Sequence, residues 1–235
     1  MQITKLEYQK RNPNRVNVYV DGKFAVGLDV NSVISLGLCK NQPLTGDGLA
    51  RIISESDYGK LLGAAVNFLS FRPRSEWEVK HFLEQKTKKL QSASPEKESL
   101  TESVLKKLKQ TGHINDGEFV RWFADQRQTF RPKGHRAVEV ELRRKGVDIE
   151  LIRHVLAAQS VGALSQYALA EKALEKPLRR LAKSAYLPSE VFRTKGKLQR
   201  FLANRGFDYD TAREAVENAV KKRYTNPASQ DWPLE

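Results

Sequence analysis

The sequence predicts a mainly α-helical protein: three tandem three-helix repeats in an elongated array, preceded by a small N-terminal α+β domain with a β-hairpin. One observation is a change near Tyr58 from alternating apolar residues to apolar residues at i, i+3 and i+4. Another is a basic segment, "FRPRSEWEV" at 71–79, which returns as "FRPKGHRAV" at 130–138 and, in weaker form, as "FRTKGKL" at 192–198. Self-similarity of this kind is typical of repeat proteins.

The N-terminal domain, residues 1–57, begins with β structure. "RVNVYV" and "KFAVGL" read as two strands joined by a turn at Asp21–Gly22, and "ITKLEY" as a third strand beside them. A short helix near Val30–Leu36 follows. Thr45 is then placed to cap a helix that runs toward Tyr58.

Each predicted repeat contains three amphipathic helices, and its second helix is the easiest to identify. Val79, Phe82 and Leu83 mark this helix in the first repeat, and Leu198, Phe201 and Leu202 keep the same spacing in the third. The middle copy keeps Val138 and Leu142 but has Glu141 between them. We assign residues 58–112, 113–158 and 159–224 to the repeats and 225–235 to a flexible tail.

Helix-terminating residues support this division. Ser75 and Glu78 have the spacing of a capping box, and Asp148 and Asp208 are placed to begin the third helices of two repeats. Gly146 and Gly206, two residues earlier, are suited to the left-handed conformation that ends a helix. Pro177 is expected to kink or split the first helix of the third repeat.

The charge is strongly positive, with a formal net charge of +13 and a pI near 9.8. Residues 1–57 carry seven basic and six acidic side chains, so the excess lies in the repeats. Such a balance favours a polyanionic partner, either nucleic acid or an acidic protein surface.

Basic residues recur where each second helix begins, and arginine predominates among them. Its planar guanidinium suits bidentate pairing with phosphate or carboxylate. A run of charge is often only a solvated helix face, but recurrence in three repeats favours a shared binding surface. The candidate residues for binding this polyanionic partner are Arg72, Arg74, Arg131, Lys133, Arg136, Arg143, Arg144, Lys145, Arg193, Lys195, Lys197, Arg200 and Arg205.

Other classes of site are poorly represented. Cys39 is the only cysteine, which excludes an intrachain disulfide and favours a reducing compartment. The N-terminus lacks the apolar core of a signal peptide, so we expect a cytoplasmic protein without a membrane segment. Glu78 and His81 form a single E-x-x-H pair, and no P-loop, G-x-S-x-G or C-x-x-C occurs. We expect no metal, no cofactor and no catalytic residues.

The aromatic residues at helical spacing are expected to pack in the cores of the repeats rather than stack on bases. They are Trp77, Phe82, Trp122, Phe123 and Phe201.

Longer segments resemble the successive signatures of the RecX family, regulators of the RecA recombinase. They are "RPRSEWEVKHFLEQK", "LKKLKQTGHINDGEFVRWFADQR", "RPKGHRAVEVELRRKGVDIELIRHVL" and "KLQRFLANRGFDYDTAREAV". The segment "ITKLEYQKRNPNRVNVYVDGKFAVGL" resembles the extra N-terminal domain of longer members. The resemblance implies a non-catalytic protein that binds in the groove of the RecA filament on single-stranded DNA. It also implies inhibition of strand exchange, of ATP hydrolysis and of RecA-stimulated repressor cleavage.

Two alternatives remain open at this stage. The basic repeats also fit a non-specific DNA-binding protein, and they fit a helical scaffold whose charge serves solubility alone. We expect a monomer, and weak direct binding to DNA is compatible with the filament-binding interpretation.

Overall fold

The computed structural model describes residues 1–90, 94–159, 165–180 and 188–225. The strands are β1 (Ile3–Gln9), β2 (Asn12–Val20) and β3 (Lys23–Asp29). The helices are α1 (Val30–Ser35), α2 (Gly46–Ser70), α3 (Glu76–Thr87), α4 (Ser94–Gln110), α5 (Asp116–Phe130), α6 (His135–Arg143), α7 (Ile149–Gln159), α8 (Gln166–Arg180), α9 (Pro188–Asn204) and α10 (Tyr209–Thr225). Among the helices of these residues, none is both long enough and apolar enough to cross a membrane.

The chain divides into two compact units, Met1–Asn115 and Asp116–Glu235. Unit 1 contains the sheet and helices α1–α4, and unit 2 contains helices α5–α10. Residues 226–235 of the predicted tail lie outside the described residues, as do residues 91–93 of the polar connection before α4.

The three strands form an antiparallel sheet in the order β1-β2-β3. Asp21 and Gly22 have positive φ angles of 45° and 77°, the conformation that a two-residue type I′ hairpin requires. Val16, Val18 and Val20 are all buried because alternate residues of a strand point to the same face. The predicted hairpin and the third strand are confirmed.

Helix α2 begins where the sequence predicts, since the Thr45 hydroxyl accepts a hydrogen bond from the Gly48 amide at 3.0 Å. It does not end near Tyr58, however, but continues to Ser70. The expected helix and the first helix of the first repeat are therefore one element. No proline interrupts the segment, and apolar residues that need burial continue on both sides of Tyr58.

The two halves of α2 serve different cores. Near its start, Ile52 joins the apolar core of the sheet, and the Ser56 hydroxyl donates to the carbonyl of Gly27 in β3 at 2.9 Å. Further along, Leu61 and Ala65 are buried with residues of α3 and α4. The sheet and the first repeat thus share one helix.

Each group of three helices encloses its own apolar core, which confirms the predicted three-helix repeats. The residue ranges assigned to the repeats from the sequence stay a prediction. Fully buried residues include Leu61, Val79, Leu83 and Val104 in the first core, Phe119, Leu142 and Ile152 in the second, and Leu169, Leu174, Leu202 and Val216 in the third.

The predicted helix ends are largely confirmed. Ser75 and Glu78 form a complete capping box at α3, and Asp208 accepts from the Thr211 amide at 2.8 Å at the start of α10. Gly146 and Gly206 have φ angles of 74° and 82°. Pro177 does not split its helix, since α8 contains it and ends three residues later, at Arg180; the backbone hydrogen bond that proline removes is the one its amide would have donated to Ala173.

The third copy of the basic segment is not a turn, which corrects the prediction for Arg193, Lys195 and Lys197. These residues lie inside α9, which begins at Pro188. Pro73 and Pro132 prevent the preceding helix from continuing in the first two copies, whereas the third copy contains no proline.

The buried residues show the true register of the third repeat. Val138 and Leu142 correspond to Leu198 and Leu202, an offset of 60 residues. This offset aligns Gly134 with Thr194, so the similar letters "FRPKG" and "FRTKG" are displaced by two residues from structural equivalence.

Candidate binding surface

The basic residues before α3 point into their own repeat. The Arg72 guanidinium donates to both oxygens of Glu78 at 3.1 and 3.0 Å, and to the carbonyl of Pro73 at 2.8 Å. Arg74 lies 3.4 Å above the ring of Phe68, and its Nε donates to the Phe68 carbonyl at 2.9 Å. Burial and the neighbouring charge of Arg72 lower the pKa of Arg74. Both arginines therefore stabilise the turn internally.

The first and second repeats join their first two helices by different contacts, aromatic in the first and ionic in the second. In the first repeat the rings of Phe68 and Phe82 stack at 4.0 Å. Fifty-nine residues later the corresponding positions are Arg127 and Glu141, which form an ion pair of 2.7 Å. Lys133, the counterpart of Arg74, also pairs with Glu141. The Glu141 that interrupts the apolar pattern is thus explained by two basic partners.

The pKa of Glu141 reflects this arrangement. Burial acts to raise the pKa, but hydrogen bonds from Lys133 and Arg127 outweigh burial, so the pKa is lowered. Lys133 is therefore engaged within the second repeat, as Arg72 and Arg74 are engaged within the first.

The turn before α6 also forms a joint between the second and third repeats. The Gly134 amide donates to the carbonyl of Arg205 at 2.9 Å, and Arg205 Nη1 donates to the carbonyl of Pro132 at 3.1 Å. The His135 amide donates to Oε1 of Gln166, at the start of α8, at 3.0 Å. Arg205 in addition lies 4.4 Å from the ring centre of Phe201. Burial and the charge of Arg131 lower the pKa of Arg205.

Two glycines, Gly134 and Gly206, allow the backbones of the second and third repeats to lie close together at this joint. A Cβ added to Gly134 would overlap the carbonyl group of Gly206 and lie 2.6 Å from the amide nitrogen of Phe207. A Cβ added to Gly206 would overlap the backbone of Ala137. These are backbone atoms, which cannot rotate away, so both positions require glycine.

The side chains of eight of the thirteen candidate residues form no hydrogen bond or ion pair with the described part of the chain. All are exposed except Lys195, which is half-buried. They are Arg131, Arg136, Arg143 and Arg144 of the second repeat and Arg193, Lys195, Lys197 and Arg200 of the third. Lys145 differs from them, because it lies 5.9 Å from the ring centre of Phe123. The available positive charge of the candidate set thus lies in unit 2.

Two of the eight line the same groove. Arg136 of α6 and Arg200 of α9 face a groove of about 470 Å³ together with Gln199, Asp208 and Tyr209. The glycine joint places them there, since Ala137, next to Arg136, contacts Gly206.

A phenylalanine begins each of the three basic segments, and no role was predicted for it. Phe71, Phe130 and Phe192 are 77%, 73% and 80% exposed, although phenylalanine normally contributes to a core. The recurrence of phenylalanine before each arginine was the available signal.

The prediction for the five aromatic residues is wrong for Trp77. It is 48% exposed and stacks on His81 with ring centres 5.2 Å apart, because it occupies the outer face of α3. Phe123 is buried in its core, and Phe82, Trp122 and Phe201 are partly buried against theirs.

No metal centre is found among the described residues, where no group of three or more His, Cys, Asp or Glu side chains is suitably arranged. His81 lies 3.6 Å from Glu84, a neighbour on the same helix.

The fold and this surface define a class: tandem three-helix-repeat proteins with a cationic surface and an N-terminal β-sheet domain. Three family models match the chain: the regulatory protein RecX N-terminal domain at residues 1–45, and the second and third three-helix domains of RecX at 115–156 and 165–216. The chain belongs to the RecX family.

Curated relatives agree with this assignment, and solved structures agree with the fold. The regulatory protein RecX of Bacillus velezensis is 31% identical over 92% of this chain and 76% of the relative. That of Listeria monocytogenes is 30% identical over 94% and 77%. A crystal structure of regulatory protein RecX has a TM-score of 0.66 at 24% identity, covering 92% of this chain and 98% of the other. RecX from Lactobacillus salivarius has a TM-score of 0.53 at 21% identity, covering 69% and 96%.

Proposed function

We propose that this protein is a non-catalytic regulator of RecA that binds in the groove of the RecA filament on single-stranded DNA. Binding there inhibits strand exchange, ATP hydrolysis and co-cleavage of the repressor. Family membership supports the RecA partner. The observation that carries the proposed surface is the set of eight cations in unit 2 whose side chains have no hydrogen-bonding or ion-pair partner among the described residues; seven of the eight are exposed.

The physical reason lies in repetition. A filament offers the same groove at every protomer, so a chain with repeated modules forms several weak contacts with it. Contacts joined on one chain gain avidity through their effective concentration, without any single strong site. A ligand of this kind inhibits by binding one state of the filament more tightly than another, which requires no catalytic residue.

The proposal is tested by neutralising two of the outward cations. Arg143→Gln/Arg144→Gln removes two exposed charges that have no ion pair among the described residues, so folding is preserved. Lys133 is unsuitable for this purpose, because its loss would unpair Glu141. If each contact contributes about 0.5–1 kcal/mol, affinity for RecA-coated single-stranded DNA falls by about 5–30-fold. Pull-down and inhibition of RecA ATPase measure the effect.

Lys10→Gln/Arg11→Gln is the matched control, since it removes the same charge from an exposed turn of the near-neutral N-terminal domain. We expect this control to inhibit like the unmodified protein. Equal inhibition by the Arg143/Arg144 variant would remove these two cations from the binding surface.

Bare single-stranded DNA, run beside the filament with ATP present, separates the alternatives. Equal affinity for bare DNA and filament, with a steep dependence on salt, indicates a non-specific DNA-binding protein. Failure to bind either indicates a scaffold.

The exposed phenylalanines, Phe71 in unit 1 and Phe130 in unit 2, are tested separately as contacts with the filament. We expect Phe71→Ser and Phe130→Ser to change the free energy of unfolding by less than about 0.5 kcal/mol, because both rings are already largely exposed. If the rings contact the filament, each substitution weakens binding by about 1–2 kcal/mol. Ile34→Ser, in the N-terminal domain and 71% exposed, is the control. Unchanged filament affinity of the double Phe variant would exclude the rings from the interface.

A further inference from the structure

From the groove between α6, α9 and the start of α10, we infer a binding site for one nucleotide unit of single-stranded nucleic acid. The phosphate lies between Arg136 and Arg200, and the base stacks on Tyr209. The inference deepens the proposed function and rests on it, since the strand bound here is the single-stranded DNA of the RecA filament. It assigns this part of the surface to that nucleic acid rather than to the recombinase.

The dimensions of the groove suit a ligand of this size. Its volume of about 470 Å³ lies within the range of small-molecule sites, roughly 300–1,000 Å³. Its lining comes from two repeats, with Arg136 supplied by the second and Gln199, Arg200 and Tyr209 by the third. The backbone contact between Ala137 and Gly206 fixes the two sides relative to each other.

The charges in the groove favour an anion. Arg136 and Arg200 are exposed, and neither side chain forms a hydrogen bond or ion pair with the described residues. Asp208 is the acidic group of the lining, and its two oxygens are held by the amide and hydroxyl of Thr211 at 2.8 and 2.7 Å. Those hydrogen bonds, assisted by the charge of Arg136, lower the pKa of Asp208. Two guanidinium groups against one occupied carboxylate leave a net positive site.

The aromatic side chain distinguishes nucleic acid from an acidic peptide. Tyr209 is 70% exposed at the start of α10 and lines the same groove as the two arginines. An exposed ring beside cations provides a stacking surface next to a phosphate site, the combination by which proteins bind unpaired nucleotides. A carboxylate side chain would use the arginines and leave the ring unused. In a duplex the bases are already stacked, so a single strand fits better.

The site is tested without RecA, by fluorescence anisotropy of a labelled single-stranded oligonucleotide and of an abasic oligonucleotide of the same length. We expect Tyr209→Ser to weaken binding of the normal strand by about 5–150-fold and to leave binding of the abasic strand unchanged. Tyr209→Phe keeps the ring and retains affinity. Arg136→Gln and Arg200→Gln weaken both strands, and each lowers the slope of log K against log salt by about 0.7. Lys10→Gln is the charge-matched control.

Several results would overturn this inference. They are absence of binding to the normal strand, unchanged affinity of Tyr209→Ser, and equal losses on normal and abasic strands. A free nucleoside monophosphate could also displace the labelled strand. If it did so as effectively, per nucleotide, as the unlabelled oligonucleotide, the groove would be assigned to free nucleotides. A loss of filament affinity in Arg136→Gln without a loss on bare DNA would assign it to an acidic group of the recombinase. If the protein still inhibits RecA in any of these cases, only the groove assignment fails and the proposed function stands.

Discussion

The glycine joint of unit 2 leads to the most specific prediction about stability. Gly134→Ala places a Cβ against the carbonyl group of Gly206 and 2.6 Å from the amide nitrogen of Phe207. Since ordinary contacts between heavy atoms are near 3.5 Å, the two backbones must separate by about 1 Å. Overpacking of this kind costs about 1–3 kcal/mol.

Separation also weakens the hydrogen bonds across the joint. The bond from the Gly134 amide to Arg205 and the bond from Arg205 to Pro132 contribute about 0.5–1.5 kcal/mol each. We therefore expect Gly134→Ala to lower the free energy of unfolding of unit 2 by about 2–4 kcal/mol. Hydrogen exchange at the first turn of α6 measures this directly, because the amides of Gly134 and His135 both donate across the joint.

Two glycines provide matched controls. Gly196→Ala, in the middle of α9, meets no atom within 4 Å, so it is expected to be neutral or to stabilise by about 0.5–1 kcal/mol. Gly112→Ala also meets no atom, but its φ of 72° imposes backbone strain of about 1–2 kcal/mol without a steric clash. If the Gly134→Ala variant had the same amide exchange rates and the same free energy of unfolding as the unmodified protein, the close packing of the repeats at this joint would be refuted.

Two further predictions concern the ion pairs and the joint. Glu141→Gln should lower stability at neutral pH by about 1–2 kcal/mol, because Lys133 and Arg127 lose their partner; urea unfolding measures this. Since the folded-state pKa of Glu141 lies below its ordinary 4.5, its contribution is present above that pH and is lost as the pH falls through the folded-state pKa. The difference between the two proteins should therefore shrink as the pH falls below about 4.5, and a difference that did not shrink would contradict the assignment. Arg205→Lys keeps the charge but loses the flat contact with Phe201, so the Gly134 amide should exchange about fivefold faster, while Arg143→Lys should leave it unchanged.

The parts of the fold that depend on residues close together in the sequence were predictable. The caps at Thr45, Ser75 and Asp208 each involve an acceptor and an amide three residues apart. The hairpin at Asp21–Gly22 is equally local. Interactions between residues so close in the sequence can be predicted from residue type and spacing alone, and these predictions are confirmed.

The parts that depend on distant partners were not predictable. The sequence shows that Arg72 and Lys133 are basic, but not that Glu78 and Glu141 bind them from inside the same repeats. The similarity of "FRPKG" and "FRTKG" also gave the wrong alignment of the third copy. Only the buried residues show that Thr194 takes the place of Gly134. Packing, rather than resemblance of motifs, decides equivalence between repeats.

The exchange of a stacked pair of rings for an ion pair shows how far the repeats have diverged without losing their fold. Phe68 and Phe82 are replaced together by Arg127 and Glu141, while Arg74 is replaced by the shorter cation Lys133. Glutamate at the second position alone would leave a carboxylate against the electronegative face of a ring, without its basic partner. The paired replacement keeps the first two helices of each repeat joined at the same place.

The helix that carries both the sheet and the first repeat has a mechanical consequence. At 25 residues, α2 is a rod of about 37 Å that is gripped at each end by a different set of apolar side chains. Bending or twisting applied to the sheet is therefore transmitted to the first repeat instead of being absorbed by a linker. Cleaving the chain near Tyr58 would divide the helix that both cores need, so neither fragment is expected to stay folded by itself.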